Sequence, residues 1–300
     1  MIPEPFFSVV IPTYNREEKL ARCLNSVAGL DYSPDHFEVI VVNDGGAAPA
    51  TLASYLGRDP EVRLINQKHS GSAAARNTGA AQASGEFLAF TDDDCAPDTQ
   101  WLTALAQSLR TWPDHLIGGR TVNALPQNVF STASQLLASY VYSYYNRNPN
   151  DAHFFASNNM ALSAERLRAF GGFDSTYTRT AAEDRDLCDR WRYHGYRMTY
   201  APDAVVHHAH DLTLRAFWRQ HFNYGRGARQ FRYARSLRHQ KPIRLEPPAF
   251  YTNMLRYAFA HPGSHRPVVL ALLLILSQAA NAAGFFYEGT NRPRYQKGQA

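Results

Sequence analysis

Three consecutive aspartates, Asp92, Asp93 and Asp94, stand directly after the apolar run "EFLAF". Carboxylates packed this closely repel one another and need a positive partner. A divalent hard cation is one such partner, because it takes oxygen ligands from carboxylates and from a bound phosphate. The plainer alternative is a solvated acidic turn or a set of helix caps. Side chains at i and i+2 of a strand share a face, so Asp92 and Asp94 are expected to converge, with Asp93 pointing elsewhere.

Asp44 follows "VIVV" and precedes Gly45 and Gly46, which would let the backbone turn closely around it. A carboxylate there can accept hydrogen bonds from a nucleobase or a ribose, unless it serves only an ordinary Asp-Gly turn. "AAEDRDLCDRW" brings Glu183 and Asp184 to a helix start. A positioned carboxylate can take a proton there, or it can simply complement the helix dipole. His207, His208 and His210 suggest a metal cluster, but alternation puts His208 and His210 on one face and His207 on the other. A structural histidine is the competing reading.

The elements that must hold these residues alternate between strand and helix. "FFSVVIP" is a buried-strand run that closes in "TYNR", and "EEKLARCLNSV" then places Leu20, Cys23, Leu24 and Val27 at helical spacing. "FEVIVVNDGG" and "EVRLINQ" are further strands, followed by the small-residue helix "GSAAARNTGAAQAS" and the strand "EFLAF". Buried strands separated by helices predict a Rossmann-like α/β fold with a mostly parallel central sheet. In such sheets ligands bind beyond the carboxyl ends of the strands. Thr13, Asn15, Asp44 and the three aspartates all fall at those ends. Further on, "TQWLTALAQSLR" and "NVFSTASQLLASYVYSYYNR" read as helices, and "YRMTYAPDAVVHHAH" as two short strands joined through Pro202-Asp203.

Three hundred residues suffice for one large α/β domain or a domain with an appendage. With 45% hydrophobic and 19% charged residues, the composition is that of a globular chain and excludes disorder. Cys23, Cys95 and Cys188 are odd in number and far apart, which points to reduced thiols and a cytoplasmic setting. No secretory signal is expected from "MIPEPFFSVVIPTYN". The charge is uneven: residues 211–300 carry 14 Lys and Arg against 3 Asp and Glu, whereas residues 1–210 carry 17 against 23. The two parts should meet different partners.

Taken in order, "VVIPTYNR", "VIVVNDGG", "GSAAARNTGAAQASGEFLAFTDDDC", "GGFD", "EDRDLCDRW" and "PDAVVHH" resemble a family 2 glycosyltransferase, from about Phe7 to His208. The resemblance implies a GT-A fold, a nucleoside-diphosphate sugar donor, a divalent metal (Mn2+ or Mg2+) and inversion at the anomeric carbon. It assigns Pro12, Tyr14, Asn15 and Asp44 to the nucleoside pocket, with Arg76 nearby. Asp92 would face the ribose or diphosphate, with Asp93 beside it. Asp94 would hold the metal, with His208 as a second ligand. Asp184 would be the general base, paired with Glu183. Asn158 and Asn159, in "FFASNNMALS", would border the acceptor or else satisfy loop backbone. "GGFD" would be a tight turn that positions the catalytic helix.

The domain boundary is expected near residue 210, with a basic, helical region over 211–300. From Arg226 basic residues recur at every third position through Arg229, Arg232, Arg235, Arg238, Lys241 and Arg244. A step of three advances 300° on an α-helix, so they spiral around it. No nucleic-acid fold accompanies them and no nucleic-acid partner is expected. An anionic membrane surface or a lipid-linked acceptor is the favoured partner, because the apolar stretch Val268 to Phe286 follows. That stretch is borderline for spanning a bilayer; a buried or interfacial helix fits as well. "WRQHFNYGRG" is similar to an element that lies near the donor diphosphate in some family members. Two other functions compete: a nucleotidyltransferase that makes nucleotide sugars, and a non-catalytic sugar-nucleotide binding module. The first would want a Gly-rich loop after its first strand, and "IPTYNREEKL" has no glycine there.

Overall fold

The chain is described here by a computed structural model, which covers residues 4–55, 60–177, 181–260 and 266–290. Contacts divide it into two compact units. The first comprises Met1–Pro126, Val141–Thr178 and Glu183–Asp211, and the second Gln127–Tyr140, Arg179–Ala182 and Leu212–Ala300.

The first unit is built on β1 (Phe7–Thr13), β2 (Phe37–Asn43), β3 (Glu61–Asn66), β4 (Phe87–Phe90), β5 (Cys95–Pro97), β6 (Leu116–Asn123), β7 (Met160–Ser163) and β8 (Met198–His208). They form one sheet in the order β3-β2-β1-β4-β7-β6-β8-β5. The first four strands are parallel, with Phe7 opposite both Phe37 and Phe87. Beyond β4 the sheet is mixed: β7 runs antiparallel to its two neighbours and β5 antiparallel to β8. The parallel pattern was legible because β1 and β2 are buried along their whole length.

The helices follow the apolar periods. On one face α1 (Glu17–Ala28) and α3 (Trp101–Thr111) lay Leu20, Leu24, Trp101, Leu105 and Leu109 against Val9 and Ile11. On the other, α2 (Ser72–Gln82) packs Ala73, Ala75 and Ala80 against Val10, Ile40 and Val42. A side chain at Gly79 would meet Val10 and Val42, which explains the small residues of α2. After α4 (Val129–Tyr145) and the short α5 (Ala164–Ala169), α6 (Glu183–Tyr193) buries Leu187 and Trp191 in the second core.

The two short strands expected around Pro202 are one long strand, β8, with an irregularity. Gly119 faces Ala201 and the next residue, Arg120, faces Val205, so Pro202, Asp203 and Ala204 fall outside the ladder register. Beyond the bulge, Cys95 faces His208, and the Ala209 N–H donates to the Asp94 carbonyl at 2.8 Å. This pairing brings the aspartate turn to the histidines.

The second unit contains α7 (Leu214–His239), α8 (Pro248–Ala260) and α9 (Pro267–Thr290). The glycines of "WRQHFNYGRG" serve packing there: a side chain at Gly225 would strike the Asn281 carbonyl, and one at Gly227 the Ala181 carbonyl. Several of the evenly spaced arginines are also committed. Arg226 pairs with Glu288 at 2.8 Å, Arg232 pairs with Glu246 at 3.2 Å, and Arg229 lies 5.3 Å from the centre of the Phe285 ring. Lys241 and Arg244 lie past the end of α7.

Candidate active site

Asp44 ends β2 and organises the segment that enters α2. Its carboxylate accepts from the Ser70 and Gly71 N–H groups, each at 2.8 Å, and from Gln67 Nε2 at 2.7 Å. It also lies 2.9 Å from His69 Nδ1. With its lone pairs used this way, Asp44 shapes the loop. The aromatic platform beside it is Tyr14 stacked on His69, 4.3 Å between ring centres. Tyr14 is exposed and Pro12 is buried below it in β1. Asn15 adopts φ 52°, a left-handed turn that lays its amide against Gly46. The sequence did not single out Gln67 or His69, since neither carries a spacing signal.

The three aspartates separate. Asp92 pairs with Arg76 Nη2 at 2.7 Å. Asp93 accepts from Thr13 Oγ1 at 2.8 Å and from Arg16 at 3.1 Å. Asp94 lies 3.2 Å from each of Arg16, Lys19 and His208. The expected convergence of Asp92 and Asp94 is therefore not found: Asp93 and Asp94 share Arg16, while Asp92 turns to Arg76. The strand ends at Phe90, so the alternation rule no longer governs these residues. Arg16 and Lys19 were missed, although Arg16 follows β1 in "TYNR".

These partners set the protonation states. Burial pushes Asp93 up to about 6, against the pull of Arg16. Burial acts the same way on Asp94, but the His208 hydrogen bond and charge, with Lys19 and Arg16, hold it well below the usual carboxylate range. Asp94, Cys95 and His208 form the metal-capable cluster found among the described residues, with ligand atoms within 4.8 Å of one another. Burial, with Asp92 and Asp94, drives the Cys95 thiol well above its ordinary value. That leaves a carboxylate and an imidazole as the two donors that could hold a divalent cation here. His210 packs its ring 4.2 Å from that of His208, and burial lowers its value to about 3. His207 is on the other side, 3.8 Å from Asp98.

Arg76 joins distant motifs. One nitrogen meets Asp92 and another meets Glu183 Oε1 at 2.9 Å. Burial disfavours its charge, but Asp92 and Glu183 hold the guanidinium protonated. Beneath it lies Phe173, 5.6 Å from ring centre to guanidinium carbon. The "GGFD" turn supplies that ring through Gly171 and Gly172, both at φ 74°. The Asn77 amide brackets Phe173 by bonding both its N–H and its carbonyl at 2.8 Å.

Glu183 is thus spent on Arg76, and Asp184 is not. The α6 helix is entered through Ala182 at φ 114°, a strained conformation for a residue with a side chain. Asp184 accepts from the Arg185 N–H at 2.7 Å. Burial, then the Glu183 charge, push its carboxyl up to about 7, against Arg185 and Arg76. Asn159 is a buried structural amide that accepts from Trp101 Nε1 and donates to the Arg120 and Ala204 carbonyls. Asn158 is buried beside Thr121 at 3.4 Å. Loop satisfaction, not acceptor reading, accounts for Asn159.

The family model for glycosyl transferase family 2 matches residues 8–170. Glycosyltransferase AglE of Haloferax volcanii is 30% identical over 207 residues, covering 68% of this chain and 67% of that protein. The pre-mycofactocin glycosyltransferase of Mycobacterium tuberculosis is 32% identical over 226 residues, covering 74% of this chain but 46% of that protein. Among solved structures, the mannosyltransferase PcManGT of Pyrobaculum calidifontis, in complex with GDP-Man and Mn2+, aligns over 96% of this chain and 80% of its own. Its TM-score is 0.62 at 21% identity, a likeness of fold. S. aureus TarS 1-349 in complex with UDP-GlcNAc aligns over 93% and 89%, with a TM-score of 0.53 at 18% identity. A family match over more than half of its length makes this chain a member of glycosyl transferase family 2, a glycosyltransferase built on the GT-A fold.

Proposed function

We propose that the chain transfers a sugar from a nucleoside-diphosphate sugar to an acceptor hydroxyl with inversion, and that Asp184 is the general base. One observation carries this: Arg76 takes up Glu183 and Asp92 together, leaving Asp184 as the adjacent carboxylate without a cationic clamp and with its proton affinity raised to about 7. A base poised near neutrality is matched to removing a hydroxyl proton. The acceptor oxygen attacks the anomeric carbon as its proton passes to Asp184. The bond from that carbon to the diphosphate breaks on the opposite face, and the diphosphate leaves with the electron pair. Asp94 and His208 would hold a divalent metal, which when bound stabilises charge on the leaving diphosphate. Tyr14 and His69 offer a face for the nucleobase. The GDP and UDP donors of the structural neighbours bring both bases into consideration here. A panel of nucleoside-diphosphate sugars, read as nucleoside diphosphate released, tests the proposal. Release from none of them, with Mn2+ or Mg2+ present, overturns it.

The second unit supports a peripheral position on the cytoplasmic face of an anionic membrane. α9 is long and apolar enough to cross a bilayer, with mean hydropathy 2.0. One face of it is buried through Leu270, Leu274, Ser277, Ala280 and Gly284. The opposite face, Val268, Leu272, Ile275, Ala279, Ala282 and Phe286, is exposed and carries no polar group. Leu214, Arg215, Trp218 and Leu276 line an adjoining apolar groove, which sets a cation and an indole beside that stripe. The buried face supports a helix that lies on the membrane over one that spans it. Replacing Leu272 and Ile275 by Ser should reduce sedimentation with phosphatidylglycerol vesicles; undiminished sedimentation overturns this position.

A further inference from the structure

Arg185 stands next to the proposed base and lies over two aromatic rings. Its guanidinium carbon lies 5.0 Å from the centre of the Phe154 ring and 5.6 Å from that of Tyr145. Both distances lie within the range where a ring face attracts a cation. The rings come from the last turn of α4 and from the segment before β7, so three separate stretches of chain meet on one guanidinium.

The rings are themselves braced. Asn146 clamps the backbone of Phe154, accepting from its N–H at 3.1 Å and donating to its carbonyl at 2.8 Å. Tyr142 packs edge-on against Phe154 at 5.8 Å, and its hydroxyl accepts from the Ala156 N–H at 2.8 Å. The guanidinium therefore sits over two braced rings.

A guanidinium has five N–H donors. Arg76, Arg190 and Arg192 each spend theirs on a carboxylate within 2.9 Å. The Arg185 side chain donates no hydrogen bond to any group among the described residues. Half-buried, rigid and with its donor fork unspent, it suits the planar bidentate recognition of an oxyanion.

We infer that Arg185, braced by Phe154 and Tyr145, is the docking point for an oxyanion on the acceptor, a phosphate or a carboxylate carried near the hydroxyl that Asp184 deprotonates. This rests on the reading of Asp184 as the base. The acceptor class is then an anionic one, and Arg185 selects it by charge and by the geometry of the fork. The cation also offsets the repulsion that an incoming anion would feel from the carboxylates beside it.

The test uses the full chain with Mg2+, UDP and GDP at saturating concentration, so that small anions are kept off the diphosphate positions. Phenyl phosphate, benzoate and benzyl alcohol are titrated by calorimetry; the shared ring isolates the oxyanion, and the first two probes separate phosphate from carboxylate. At least one anion should bind about tenfold more tightly than benzyl alcohol, the range of a charge-assisted hydrogen-bonded pair. Arg185→Gln should abolish that preference, and Arg185→Lys, which keeps the charge but loses the fork, should weaken it severalfold. No preference in the wild type, or a preference undiminished in both variants, overturns the inference. If Arg185→Gln does not fold, unchanged affinity in Arg185→Lys alone overturns it. Nucleoside-diphosphate release by the wild type in the absence of acceptor reads the donor chemistry separately. Its absence from the wild type would count against the donor chemistry instead, so the two failures are distinguishable.

Discussion

Two groups of carboxylates stand at the strand ends, and the cations that hold them differ in burial. At one end Arg76, with only 4% of its side chain exposed, clamps Asp92 and Glu183. At the other, Asp93 and Asp94 are held by Arg16, 51% exposed, and Lys19, 33% exposed. A buried ion pair that loses one partner leaves an uncompensated charge in a poor dielectric, whereas an exposed pair contributes little. On the reading proposed above, the Arg76 end is the fixed framework and the Asp94 end is where a metal would replace the exposed cations. The difference falls within about 7 Å of chain, since Asp92 and Asp94 are only two residues apart.

The sharpest way to break this contrast is at the fixed end, beside the proposed base. Asp184→Asn should lower turnover by about 10³-fold, within the usual range for a lost general base, with donor binding by calorimetry retained; near-wild-type turnover removes the assignment. In the wild type the rate should rise about tenfold per pH unit up to about 7 and then level off, since only the ionised carboxylate accepts a proton. The sign for stability is opposite. The folded value lies above the unfolded one, so the group's contribution to stability falls as pH rises from about 4 to about 7. Asp184→Asn should accordingly melt higher than wild type at pH 8, with the gap closing near pH 4.

Arg76→Ala should cost about 3 kcal/mol or more in a denaturant titration, by leaving Asp92 and Glu183 without their shared cation. A loss below about 1 kcal/mol would show that the buried end is not the framework. At the open end, Asp94→Ala should weaken Mn2+ binding, read by electron paramagnetic resonance, by about a hundredfold. The smallest effect is expected for Arg16→Ala, which should change stability by no more than about 1 kcal/mol in the same denaturant titration. A larger loss would make the two ends alike.

Much of this site was legible in the chain itself. The Val- and Ile-rich runs of β1 and β2 announced strands buried on both faces, and Thr13, Asp44 and Asp92 marked their ends. Strand alternation served well for His208 and His210, which lie in a regular ladder or just beyond it. It failed for Asp92 and Asp94, because a turn has no fixed period. Asn159 stayed open for a related reason: an amide looks equally suited to a sugar or to a carbonyl until its neighbours are known. Arg185 drew no notice, since its rings come from residues 40 and 31 positions earlier.

The sequence by itself determined the order of strands and helices, the place of the acidic motifs at the strand ends, and the family. Those features follow from local periodicity and from the short-range demand of each residue type. The partner that each carboxylate takes follows only from the folded arrangement. Asp184 is set apart from Glu183 by one arginine that lies more than a hundred residues away in the chain, and Asp94 from Asp92 by a histidine in β8. Proton affinity depends on burial and on charges a few ångströms distant, and no linear pattern encodes that distance.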